Sequence, residues 1–249
     1  MVKILMHGCN GAMGQVISNL ALENEEAKIV AGVDISGEAK NDYPVFTSLE
    51  ACDVPVDVII DFSTAKAVDG LLDYVAAKKI PVVLCTTGLS EDQIAKTKEV
   101  SKEVAVLKSA NMSLGVNTVF KLAAMAAQIL ASKGYDMEIV EKHHNRKLDS
   151  PSGTAILIAN AIKSVRKGLR CVMGRNGKDG RAKDEIGIHS VRVGNIVGEH
   201  CVIVGTDSQT ITLKHEAHER SLFAEGAISA AKFIADKENG LYDMNDMIR

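Results

Sequence analysis

The sequence predicts an α/β protein: a doubly wound parallel sheet over residues 1 to about 112, followed by a strand-rich α+β part. Three observations predict it. Short β-branched runs alternate with helical patterns from the first residues onward, which is the rhythm of βαβ units. The later runs of that first part are apolar throughout, as strands covered on both faces are. From residue 185 to 215 the successive strand patterns are separated only by turn residues.

Taken in order, residues 3–6 read as a strand, 12–23 as a helix and 28–33 as a second strand. Residues 56–60, 81–85 and 104–107 are the later strands of the parallel sheet, with helices between them over 65–77 and 91–101. Ser63 or Thr64 suits the N-cap of the first of these helices. Ser90, followed three residues later by Gln93, forms a capping-box pattern at the start of the second. A long apolar helix spans about 114–131, then a strand 137–142 and a helix from 153 to about 167. Residues 185–193, 196–204 and 210–215 read as strands, broken by the turn signals Gly194-Asn195 and Gly205-Thr206-Asp207. Residues 221–236 form an amphipathic helix with Phe223, Ala227, Ala230, Ala231 and Ile234 toward a core. Its pattern leaves open which part of the molecule it covers.

With 249 residues, 46% hydrophobic and 24% charged, the chain has globular composition and the length of one large or two small domains. A net charge of −3 supplies no basic field for a phosphate backbone or an anionic membrane. The absence of Trp and an aromatic content of 4% argue against stacking platforms for nucleic acid. Cys9, Cys52, Cys85, Cys171 and Cys201 are odd in number, scattered, and without a CxxC pair, so they read as reduced packing residues. The apolar run at 2–6 is too short for a signal peptide, and Lys121 and Gln128 interrupt the most apolar helix. The expectation is a soluble cytoplasmic protein with no nucleic-acid or membrane partner.

Directly after the first strand stands Gly8-Cys9-Asn10-Gly11-Ala12-Met13-Gly14, running into a helix, and Asp34 ends the second strand 20 residues after Gly14. Strand, glycine turn, helix and acid at this spacing fit a dinucleotide fingerprint. The glycines let the backbone approach a pyrophosphate, whose charge the first-turn N–H groups stabilise. Asp34 is placed to accept from ribose hydroxyls. The bland alternative is a glycine-rich turn without a ligand, and Asn10 stands where the commoner GxGxxG pattern has glycine. Thr86-Thr87-Gly88 after Cys85, and Ala110-Asn111-Met112-Ser113, follow later strands at the edge where such a sheet presents its ligand crevice.

A second concentration of chemistry lies in the second part. Glu141, His143, His144, Arg146, Lys147 and Asp149 crowd nine positions just before Ser150-Pro151-Ser152-Gly153-Thr154 and a helix. Ser152, Gly153 and Thr154 at the helix start offer donors to a carboxylate. Lys147 and Arg146 add positive charge, and a histidine delivers a proton near neutral pH. The combination points to reduction of an anionic substrate, against the alternative of a solvated loop capped by Ser152. No metal is expected, because adjacent His143 and His144 point to opposite sides of a strand and no HExxH spacing exists.

The stretch EKHHNRKLDSPSGTA from Glu141 resembles the signature of the 4-hydroxy-tetrahydrodipicolinate (dihydrodipicolinate) reductase family. Gly8 to Gly14, Thr86-Thr87-Gly88, ANMSLGV from Ala110, EIGIHSVR from Glu185, GNIVGEH from Gly194 and FAEGA from Phe223 resemble further family motifs in the family's order, so the likeness covers nearly the whole chain. It implies an N-terminal Rossmann domain of residues 1–113 plus 221–249, and a mixed-sheet substrate and tetramerisation domain of residues 114–220. The closing helix is then expected to return to the first domain. The resemblance further implies reduction of a cyclic unsaturated dicarboxylate by NADH or NADPH in the diaminopimelate route to lysine, by a homotetramer. By position, His143 matches the family's proton donor or acceptor and Lys147 its second proton donor. His144 and Gly153-Thr154, with Ser152 beside them, match the substrate site. Gly8 to Met13, Asp34, Cys85 to Thr87 and Ala110 to Ser113 match the cofactor positions.

Two departures leave this chemistry in place: Cys85 stands where many members have glycine, and Ser150 where alanine is usual. A third bears on the cofactor. Ile35 follows Asp34 where some members have arginine, so a 2′-phosphate lacks that partner and NADH is expected to serve at least as well as NADPH. Lys40 is near enough in sequence to weaken that expectation. Another dicarboxylate-reducing dehydrogenase and a silent NAD-binding regulator are the competing readings.

Overall fold

The computed structural model describes residues 1–130, 134–178 and 180–248. The chain forms two compact units, Met1–Leu114 together with the segment from Ser221, and Gly115–Arg220.

The first unit opens with β1 (Val2–His7), α1 (Ala12–Ala21) and β2 (Ala27–Val33), then β3 (Val45–Phe46) and β4 (Val58–Asp61). A 3-10 turn, Ala65–Ala67, runs into α2 (Val68–Lys78), followed by β5 (Val82–Leu84), α3 (Glu91–Val100) and β6 (Ala105–Lys108). The second unit holds α4 (Leu114–Leu130), β7 (Asp136–His143), α5 (Gly153–Val165), β8 (Arg170–Met173), β9 (Glu185–Arg192), β10 (Gly198–Gly205) and β11 (Thr210–Ala217). The chain then completes the first unit with α6 (Ser221–Ile234), β12 (Gly240–Tyr242) and α7 (Met244–Met247).

The first sheet has the order β12-β6-β5-β4-β1-β2-β3, with every pairing parallel. Its strands are buried on both faces because apolar side chains alternate between two cores. Ile4, Met6, Ile60, Val83 and Leu107 face α1 and α6, while Leu5, Ile59, Val82, Leu84 and Val106 face Leu71, Leu72 and Val75 of α2. The strand order reverses between β1 and β4, and their carboxyl ends border the position where such sheets bind ligands. Helix α6 packs beside α1, which answers the question its own pattern left open.

The second sheet is mixed, in the order β11-β10-β7-β9-β8. Strand β10 runs antiparallel to β7 and β11, while β9 is parallel to β7 and β8. Val119, Ala123 and Ala127 of α4 and Ile158, Ala159 and Ile162 of α5 cover one face, against Ile139, Ile186, Ile188, Val202 and Val204. The opposite face carries ion pairs: Glu199 takes Lys142 at 2.7 Å and Lys214 at 3.2 Å, and Glu138 takes Arg181 at 2.9 Å and His189 at 2.7 Å.

Several details differ from expectation. Strands β3, β8 and β12 and helix α7 have no counterpart among the predicted elements, since two to four residues are too few to display a period. The helix expected at residue 65 starts as a 3-10 turn, and Thr64 at its N-cap makes no side-chain capping bond; Ser63 Oγ turns instead to the Thr64 carbonyl. The capping box of Ser90 and Gln93 is present with both bonds. Helix α1 ends at Ala21, two residues early, and Ala131, the expected end of α4, lies outside the described residues.

Candidate active site

In the first unit, Gly8 takes φ +81° immediately after β1, and a Cβ there would approach the Phe62 carbonyl oxygen to 2.7 Å. Gly14 packs so closely that a Cβ would overlap the carbonyls of Gly8 and Cys9. The turn therefore needs both glycines, and α1 begins at Ala12 with Gly11 as an N-cap that supplies no side-chain acceptor. That leaves the helix start to an external anion. Asp34 is half-buried; its carboxylate accepts the Asn10 N–H at 3.1 Å and the Ser36 N–H at 3.2 Å. Asn10 in turn donates through its side chain to Ser36 Oγ and to the Glu38 carbonyl, tying the turn to the loop after β2. The residue that departs from the commoner glycine pattern is thus a brace for Asp34. These features fit a dinucleotide.

Not every predicted cofactor residue offers its side chain. Cys9, Cys85 and Met112 are buried in the sheet and its apolar cores, so they present backbone only. Burial raises the Cys9 thiol to about 11 and pushes the Cys85 thiol well above its ordinary value, so both are protonated packing groups. Thr86 is also buried and donates to Asp61 at 2.6 Å, leaving Thr87 exposed beside Gly88. Ala110 is exposed, Asn111 and Met13 are half-buried and Ser113 is buried. Asp61, at the end of β4, has no exposed surface; His7 Nδ1 lies 2.8 Å from it, close but without hydrogen-bond alignment.

In the second unit the site is built around Glu141, two residues before His143 on β7 and therefore on the same face. Glu141 has no exposed surface. Its Oε2 lies 2.5 Å from His143 Nδ1 and accepts from Arg192 Nη1 at 2.8 Å; its Oε1 accepts from Arg192 Nη2 at 2.7 Å and from the Ser152 N–H at 3.1 Å. Burial pushes the carboxyl upward, but Arg192, Ser190, His143 and Ser152 outweigh it and bring it down to about 2. His143 packs edge-on against His200, with ring centroids 5.1 Å apart.

Ser152 was expected beside the substrate, but the structure uses its groups internally. Its side chain is buried, its Oγ accepts the Ala155 N–H at 3.2 Å as the cap of α5, and it lies 2.9 Å from His200 Nε2. Ser152 holds the helix start in place, while Gly153 is exposed and Thr154 half-buried next to it. Burial, reinforced by the charge of His143, lowers His200 to about 4, so it is neutral at pH 7 where it meets the Ser152 hydroxyl.

Lys147 Nζ lies 2.8 Å from Asp149, and Arg146 donates to the Asn195 side chain at 2.6 Å, so Asp149 and Arg146 act as supports. His144 is lowered by desolvation and then by Arg146, His143, Lys147 and Arg220, an accumulation of positive charge that suits an anionic ligand. Sequence reasoning assigned no role to Arg192, His200 or Arg220. Arg192 and His200 do lie in the motifs EIGIHSVR and GNIVGEH, and only β-sheet pairing brings them to Glu141 and Ser152. Among the described residues no group of three or more His, Cys, Asp or Glu is placed to hold a metal.

Family models for dihydrodipicolinate reductase match this chain twice, the N-terminal one over residues 2–112 and the C-terminal one over residues 115–248. A 4-hydroxy-tetrahydrodipicolinate reductase of Caldanaerobacter subterraneus subsp. tengcongensis is 47% identical, over all of this chain and 99% of that protein. The same-named protein of Clostridium novyi is 46% identical over 100% and 99%. Among solved structures, a dipicolinate-bound dihydrodipicolinate reductase from Paenisporosarcina sp. TG-14 superposes with a TM-score of 0.85 at 27% identity, covering 98% of this chain and 99% of that one. The chain belongs to the dihydrodipicolinate reductase family.

Proposed function

We propose that the chain is a 4-hydroxy-tetrahydrodipicolinate reductase of the diaminopimelate route to lysine, reducing a cyclic dicarboxylate with a nicotinamide cofactor. The observation that carries this reading is the Glu141–His143 pair beside the α5 start, in a unit where Arg146, Lys147 and Arg220 add positive charge. In the overall reaction the substrate takes up one hydride and one proton, and its 4-hydroxyl leaves as water. When bound, the nicotinamide supplies the hydride. Gly153 and Thr154 receive one substrate carboxylate at the helix N-terminus, and His144 contacts the same substrate. His143 delivers the proton to the ring carbon next to the one that receives hydride, and Lys147 offsets the developing charge.

NADH serves at least as well as NADPH, because Asp34 is fixed where the adenosine ribose is expected and the next residue, Ile35, is 96% exposed and brings no charge to a 2′-phosphate. Assembly into a homotetramer uses the face of the mixed sheet opposite α4 and α5. A cytoplasmic location fits five unpaired cysteines and the absence, among the described residues, of any helix long and apolar enough to cross a membrane.

The test is NADH oxidation with the condensation product of pyruvate and aspartate semialdehyde. The native chain turns over, and His143→Gln lowers kcat by ~10²- to 10⁴-fold with cofactor affinity retained. Unchanged turnover in that variant removes His143 from the chemistry.

A further inference from the structure

We propose that Glu141 is the positioning residue for proton delivery: one carboxylate, clamped by Arg192, holds His143 in the tautomer that presents Nε2 to substrate and holds the α5 start that receives the substrate carboxylate. This rests on the reductase reading above. A carboxylate only accepts hydrogen bonds, so its contact with Nδ1 places the proton there. The opposite nitrogen, Nε2, faces Gly198, where a Cβ would come within 3.1 Å of it. Any larger residue at 198 would crowd the one nitrogen left for substrate.

The second oxygen of Glu141 accepts the Ser152 N–H, eleven residues away in sequence. The planar fork of Arg192 reaches both oxygens and fixes the plane of the carboxylate. Arg192 also donates to the Asp149 carbonyl at 2.8 Å, extending the same support to the loop that carries Lys147. Proton donor and anion anchor therefore share a single rigid reference.

A glutamine at 141 separates the two duties. Its carbonyl oxygen can still accept from Ser152 and Arg192 Nη2, while its amide, standing where Oε2 took Arg192 Nη1, releases that one bond and donates toward Nδ1, which must become an acceptor and move the imidazole proton to Nε2. The anchor survives, while the cationic imidazole that gives up a proton from Nε2 loses its partner. The charged or titratable groups around His143 are Glu141 on its own strand, Arg192 from β9, His200 from β10, and His144 and Lys147 on the loop that follows. Glu141 supplies their negative charge.

The experiment compares the native chain, His143→Gln and Glu141→Gln in the same NADH assay and reads the His143 tautomer by ¹⁵N NMR of histidine-labelled protein. Glu141→Gln is expected to lower kcat by ~10²-fold and to leave substrate KM within about threefold. The native neutral ring carries its proton on Nδ1 and the variant ring carries it on Nε2. Native kcat in Glu141→Gln, or an Nε2–H tautomer in the native chain, overturns the proposal; the native spectrum decides even where the variant does not fold. Absence of turnover by the native chain, with the Nδ1–H tautomer present, overturns the reductase reading and the delivery role that rests on it.

Discussion

At the scale of single residues, burial acts oppositely on the two ends of the Ser152 network. Glu141 is held down to about 2 by its donors, so its contribution to stability is present above the ordinary carboxylate range and is lost as pH falls from ~4.5 toward 2. His200 is lowered by burial to about 4, so the folded state resists its protonation and loses stability earlier, between ~6.5 and 4. Each window spans up to about 3 kcal/mol at 1.36 kcal/mol per pKa unit. Chemical denaturation across pH should therefore show two successive losses, and His200→Gln should flatten the upper one while leaving the lower. A native-like slope between pH 6.5 and 4 in that variant would contradict the assignment. Ile35 gives a second residue-level prediction. Ile35→Arg should lower the KM for NADPH by about tenfold, as a charge-assisted bond to a 2′-phosphate does, with little change for NADH. Steady-state kinetics with both cofactors reads this directly.

Among the elements, two serine-capped helices differ in what the cap does. Ser90 closes a capping box at the surface of the first unit, and Ser90→Ala should cost about 1 kcal/mol and leave turnover unchanged. Ser152 caps α5 and is also bonded to buried His200, so Ser152→Ala should cost more than Ser90→Ala and raise substrate KM by loosening the helix start. Thermal melts together with kinetics of the two variants separate these effects; equal costs and an unchanged KM would reduce Ser152 to an ordinary cap. Both caps were legible, because serine before a helical pattern carries its own mechanism. The second bond of Ser152 was not legible, since His200 arrives through β10 from 48 residues further along the chain.

For the whole molecule, the proposed tetramer predicts a species of four 26.6 kDa chains in sedimentation. Val140 lies on the same side of β7 as Lys142, away from the helices, and is half-buried in the isolated chain. Val140→Glu should split the assembly while preserving the circular dichroism of the fold. A tetramer that survives this change would point to another surface.

The βαβ rhythm, the glycine turn with Asp34, and the dense segment from Glu141 to Thr154 are local features, and the sequence alone determined them because each is written within about thirty residues. Bounds at helix ends shifted by a residue or two, and strands of two to four residues escaped notice, since periodicity needs length. What only the tertiary structure decided is the division of labour inside the dense segment. Glu141, in the sequence one charge among six in the crowded segment, becomes the buried hub; Ser152, read as a substrate ligand, becomes its brace; and Asn10 changes from an irregular fingerprint residue into the support of Asp34. Arg192 and His200 join through the pairing of β9 and β10 with β7. The physical reason is that a buried charge needs its partners from every side, and strands brought together from distant parts of the chain supply them.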